Sequence, residues 1–153
     1  MDAANGEVCK RPMVEMVIPS IFDASLNKTG DDNIIATLFI QYAPTKLKNG
    51  KDWDEASRKQ FLDNTYNTIE EYAPGFRKTV VHEDMLLPPD LERIYGLTGG
   101  NIFHGALSIN NLFFSRPTPG FANFNTPFNN LFMCGSGQHA GGGVMGGPGR
   151  LCA

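Results

Sequence analysis

The chain has 153 residues, with 16 acidic and 13 basic side chains that give a formal net charge of -3 and a pI near 5.5. That balance lacks the basic footprint of a nucleic-acid binder, and no run approaches the ~18 apolar residues of a membrane span. A hydrophobic fraction of 41% over this length suits one globular domain with a core of its own.

Residues 1–20 contain Asp2, Glu7 and Glu15 and no apolar segment of signal-peptide type, so the sequence reads as intracellular. Cys9, Cys134 and Cys152 are an odd number without metal-like spacing. They read as free thiols of a reducing compartment rather than as a disulfide framework.

Residues 13–18 and 34–42 are short, apolar and rich in β-branched side chains, and Pro19, Asn27, Gly30, Asp31 and Asp32 between them are turn formers. Two neighbouring strands are predicted. The second is apolar at nearly every position from 34 to 40, which predicts burial on both faces, and Pro44 ends it. A helix follows, with Asp52 as N-cap, Glu55 as its capping-box partner, and Leu62, Thr65, Ile69, Tyr72 and Ala73 along one face. Its other face, with Arg58, Lys59, Asp63, Glu70 and Glu71, reads as solvated, and Pro74-Gly75 stop it. Residues 80–81 and 85–87 suggest a short strand or extended passage, and Pro88-Pro89 suit the start of a small helix over 90–95 closed by Gly96.

Beyond that helix the chemistry changes. Residues 96–153 hold 13 of the 17 glycines and seven of the 11 phenylalanines, yet Arg116 and Arg150 are their sole formal charges. So apolar a surface expects a cover. Residues 99–105 read as a glycine-bounded loop and strand that positions His104, and 131–134 (LFMC) as a buried strand ended by Gly135. Eight glycines between 135 and 149 then let backbone approach a ligand closely, with free N–H groups at a helix start suited to an anion. No G-x-G-x-x-G opens a strand-helix unit near the start of the chain, and G-x-x-x-x-G-K-[ST] is absent. The competing reading of this stretch is a flexible low-complexity tail; a strand feeding directly into it favours a presented loop.

Cys134 and His139 are too few for a zinc site and form a weak nucleophile pair, Cys134 reading rather as a small core residue. His104 and His139, set in glycine-rich backbone, are better placed to face a ligand. Arg116, isolated in apolar surroundings, calls for an anionic partner or a water-exposed end. No carboxylate follows Glu92, which removes Asp and Glu acid-base catalysis from the carboxyl-terminal part and favours chemistry done by a cofactor.

The run LFMCGSGQHAGGGVMGGPGR, with GGNIFHG and Ser115-Arg116-Pro117 before it, resembles the carboxyl-terminal flavin-binding segment of the phytoene desaturase and carotenoid isomerase-like FAD oxidoreductases. VEMVIPSIFDASL, QYAP, GKDWDE, EEYAPGF and LPPDLERIYGLTGGNIFHG extend the resemblance back to about Arg11. It implies a mixed α/β (α+β) fold, the carboxyl-terminal portion of a two-domain FAD-dependent oxidoreductase without its amino-terminal Rossmann unit. Residues 1–115 would be the later part of a substrate domain, and 116–153 the segment completing the FAD domain. Gly135 and Ser136 would lie by the ribityl and phosphate region of FAD, and Gly141, Gly142, Gly143, Val144 and Met145 near the flavin ring, with His139 beside them. Ser136 stands where many related flavoproteins carry an acid. His104 and Arg116 would face a small-molecule substrate. The resemblance also implies a mitochondrial location, and an amino-terminal half or partner chain covering residues 96–153. The alternative is a non-enzymatic interaction module of the same ancestry, binding a partner through its uncharged tail.

Overall fold

The computed structural model describes residues 2–28 and 31–153, so the predicted turn residue Gly30 lies outside the described residues. The expected mixed α/β class holds, with two compact units, Met1–Met85 and Leu86–Ala153.

In the first unit, β1 (Met13–Val17) pairs antiparallel with β2 (Thr37–Gln41), Met13 opposite Gln41 and Val17 opposite Thr37. Side chains alternate across a strand, so the facing pairs Val14–Ile40 and Met16–Leu38 share the shielded side. The second strand is shorter than the sequence suggests and is not buried on both faces: Ile34 is 64% exposed and Phe39 43%. A two-stranded ribbon has one packed face, and apolar composition alone cannot supply a second.

Helix α1 (Glu55–Glu70) is capped two residues beyond the expected position. Asp54, not Asp52, accepts the Ser57 N–H at 2.8 Å, while Asp52 is paired with Lys46. The buried face is Ser57, Phe61, Thr65, Tyr66 and Ile69; Tyr72, predicted on it, lies past the helix and is exposed. Phe61 meets Trp53 edge-on with ring centres 5.7 Å apart, and the Trp53 indole N–H donates to the Pro44 carbonyl at 2.8 Å. The Asn64 amide donates to the Cys9 carbonyl at 2.9 Å, tying the amino-terminal segment to the same helix. Glu70 then accepts the N–H groups of Gly75 (2.6 Å) and Arg77 (2.8 Å), and Gly75, at φ +91, turns the chain into the single-turn α2 (Phe76–Thr79). Residues 80–81 and 85–87 form no strand.

The second unit opens with α3 (Pro88–Tyr95), whose two leading prolines and closing Gly96, at φ +70, stand where the sequence puts them. The Asp90 carboxylate accepts the Leu87 N–H at 3.0 Å. The turn Thr98–Gly100 packs so tightly on this helix start that a Cβ on Gly100 would lie 2.4 Å from the Pro88 main chain.

The strands expected at 99–105 and 131–134 do not form. Residues 99–105 are turns, and 131–134 keep only an isolated bridge between Phe132 and Asn125. Leu131, Phe132 and Met133 are 52%, 57% and 46% exposed, and Cys134 is exposed rather than a core residue. An apolar run becomes a buried strand only when another strand takes its N–H and C=O groups; none does so among the described residues. The chain ends in α4 (Gly147–Cys152).

Candidate functional site

The second unit carries an open cavity of about 250 Å³. Cys134, Gly135 and Ser136 form one wall, residues 141–146 a second, and Pro148 and Gly149 of α4 the third. Most of this lining is main chain. A Cβ built on Gly135 or Gly149 would meet nothing within 4 Å, so these walls lie open to an occupant. Gly141 and Gly143 hold φ +100 and +136, conformations that glycine adopts freely and other residues do not. Val144 follows at φ +56 and is fully exposed, an uncommon conformation for a β-branched residue.

Loop geometry here is set by Arg116, which is 0% exposed. Its Nε donates to the Gln138 carbonyl at 3.2 Å and its Nη1 to that of Asn111 at 3.5 Å. Its Nη2 donates to the carbonyls of Ser136 (2.5 Å) and Phe103. A planar guanidinium offers five donors in fixed directions, so one side chain gathers three separate loops onto one plane. Arg116, expected to have an anionic partner or a water-exposed end, thus has neither: it is buried, and its acceptors are main-chain oxygens. Close packing follows around the clamp: a Cβ on Gly142 would lie 3.2 Å from Ser136 Oγ and 3.4 Å from Phe103. The Gln138 side chain is 1% exposed, and its amide nitrogen and oxygen have no hydrogen-bond partner among the described residues.

Of the residues singled out from sequence, Gly135, Ser136, Gly141, Gly142, Gly143, Val144 and Met145 come together around the cavity. His139, two residues before Gly141, lies against Phe113 with ring centres 5.8 Å apart. His104 is exposed at φ +54, with its Cβ about 4.0 Å from the point a Cβ on Gly137 would occupy. Neither imidazole lines the cavity, and neither does Arg116. Further participants were not foreseen. Pro148 and Gly149 belong to the wall, and Cys152, one turn further along α4, has the Cys134 thiol as its neighbour; burial first, and that thiol second, push the Cys152 thiol up. Among the described residues, no group of three or more His, Cys, Asp or Glu side chains is placed to hold a metal ion, and no helix is long and apolar enough to cross a membrane.

The chain is similar to pyridine nucleotide-disulfide oxidoreductase domain-containing protein 2 of Rattus norvegicus, with 49% identity over 152 residues, 99% of this chain and 26% of that protein. The protein of the same name from Mus musculus is 47% identical over the same share of each. The chain therefore spans about a quarter of the length of the curated relatives it matches. No family model and no solved structure matches it.

Proposed function

We propose that this chain acts as the carboxyl-terminal part of an FAD-dependent oxidoreductase, and that the glycine-lined cavity takes a portion of the flavin dinucleotide. The observation carrying this reading is that the cavity wall is built from main chain at Gly135, Gly141, Gly142 and Gly143, where bare backbone permits the closest approach of a flat ring or a phosphate. The name of the relatives, which refers to an oxidoreductase domain, supports the same class.

The residues fit such a group in two respects. No carboxylate occurs after Glu92 to repel phosphate, and the Gly135 and Gly149 walls leave open space. When bound, a flavin supplies hydride acceptance. The chain's own part is positional: Arg116 fixes the carbonyls of Phe103, Ser136 and Gln138, and so holds the 135–143 loop in shape without entering the cavity. Small-molecule ligand sites enclose about 300–1,000 Å³, so a cavity of about 250 Å³ takes only part of a dinucleotide. The remaining contacts belong to the rest of a longer protein, which also supplies the substrate site that His104 faces.

Flavin content tests this. In a full-length protein carrying this segment, Gly143→Val places a branched side chain where φ is +136, and flavin per polypeptide should fall severalfold. Gly137→Ala is the control, since its Cβ would touch only His104, at 4.0 Å. Equal, near-complete flavin content in both variants sinks the assignment. The isolated 153 residues should bind FAD more weakly than about 1 μM, because much of the dinucleotide stays uncontacted.

A second reading, a non-enzymatic interaction module, draws on Ile109, Phe114 and Phe128, which are 91%, 80% and 71% exposed. A full-length protein that is colourless and copurifies with a partner chain through residues 96–153 favours it over the flavoprotein.

A further inference from the structure

We propose that Cys134 and Cys152 form a reversible disulfide that brackets the glycine-rich wall of the cavity. Nothing in the sequence pairs them, since eight glycines intervene. The fold does so by two routes. Cys134 lines the cavity together with Pro148 and Gly149 of α4, and Cys152 stands four and three residues beyond these two, on the same face of that helix. The Cys134 thiol is also close enough to help burial raise the Cys152 thiol. Cys134 is exposed and Cys152 partly so, whereas Cys9 is buried in the other compact unit. At six residues, α4 is short enough to adjust its last turn as the sulfurs close.

The oxidant is a small-molecule disulfide such as glutathione disulfide. The Cys134 thiolate attacks one sulfur of the oxidant; that S–S bond breaks, a mixed disulfide forms on Cys134, and the first glutathione leaves as a thiolate that takes up the proton Cys134 lost. The Cys152 thiolate then attacks the Cys134 sulfur and expels the second glutathione, which takes up the proton of Cys152. Two protein thiols are oxidised by two electrons, and one external disulfide is reduced to two thiols. The product ties the Cys134 wall to the α4 wall and removes much of the conformational freedom of the glycines between them. Access to the cavity thereby depends on thiol redox state, whatever the cavity holds.

Tryptic mapping of the intact 153-residue chain after treatment with glutathione disulfide tests the bracket. Free thiols are blocked in acidic denaturant before digestion without reductant. Trypsin cuts after Arg93 and Arg150 but not at Arg116, which precedes proline, so Cys134 falls in residues 94–150 and Cys152 in the tripeptide 151–153. The expected product is the 94–150 peptide linked to that tripeptide, as the major form, released by dithiothreitol, with Cys9 recovered blocked in residues 1–10. In Cys152→Ser, Cys134 should instead retain glutathione, at least about tenfold more than in the unaltered chain, because an adjacent resolving thiol acts at a high effective concentration. Separate glutathione adducts on Cys134 and Cys152, a link from either to Cys9, or equal adduct on Cys134 with and without Cys152 would overturn the proposal.

Discussion

The two compact units reach order by different chemistry. In Met1–Met85 side chains do the cross-bracing: Arg77 lies 4.9 Å over the Tyr66 ring and 2.6 Å from Asp63, Lys59 holds the same carboxylate at 2.5 Å, and the Tyr66 hydroxyl donates to Glu83. In Leu86–Ala153, with Asp90 and Glu92 as its only carboxylates, the brace is one buried guanidinium donating to four main-chain carbonyls. A segment with few charges and many glycines has abundant backbone acceptors and few side-chain ones, so a single multi-donor residue does what a set of ion pairs does elsewhere. The first arrangement spreads its stability over many weak, screened contacts. The second concentrates it in one residue.

Removing that residue should therefore have the largest effect. Arg116→Met strands carbonyls of Phe103, Asn111, Ser136 and Gln138 in the interior, at about 1–3 kcal/mol for each that finds no new donor. Amide hydrogen exchange through the second unit should rise to near-unprotected rates while α1 keeps its protection. Arg116→Lys should rescue little, because an ammonium's donors radiate from one atom and cannot span three loops. Retention of protection in the second unit of Arg116→Met would refute the clamp.

Next in size is the corresponding core deletion in the first unit. Phe61 is 2% exposed against Trp53, and Phe61→Ala should cost about 3–5 kcal/mol in a denaturant titration, read at α1 by hydrogen exchange. A loss below about 1 kcal/mol would show that the first unit is not organised around this helix face.

The smallest predicted effect is one of pH. Burial, then the hydrogen bond to Glu83, pushes the Tyr66 hydroxyl up to about 12 from its ordinary 10.0. A raised value means that the unfolded chain gives up the phenolic proton first. The contribution is present in full below pH 10, and declines as the pH rises towards 12, by on the order of 2 kcal/mol. Tyr66→Phe should flatten this alkaline decline; an unchanged pH profile would mean that Glu83 and burial do not hold the proton. On the acid side, Asp54, Asp63 and Glu70 are all held below their ordinary range, by hydrogen bonds from Lys51, Lys59 and the Gly75 N–H respectively as the leading causes. Their support is present above the ordinary carboxylate range and is lost as pH falls through it.

What could be read from the chain divides along the same line. Helix α3 was legible because its signals are local: Pro88 and Pro89 fix the first turn and Gly96 takes the left-handed exit. Helix α1 was legible as a helix, but its cap moved from Asp52 to Asp54, since both are acids of equal capping ability. In the fold Asp52 is engaged by Lys46, and Asp54 is left to accept the Ser57 N–H. The glycine wall of the cavity was legible because absence of a Cβ is itself a sequence property. The failed strand at 131–134 was not, because a strand needs a partner and composition does not say whether one arrives.

By itself the sequence determined the charge partition, the local helix signals and a run of bare backbone from 135 to 149, all properties carried by neighbouring residues. Only the tertiary structure decided that Arg116 turns inward, to carbonyls 5 to 22 residues distant, and that Cys134 lines the cavity with the helix that carries Cys152. The physical reason is that a guanidinium accepts any arrangement of suitably aimed oxygens, and a glycine-rich loop closes in many ways. Which oxygens are in reach, and which closure is adopted, depends on packing against parts of the chain that no local pattern encodes.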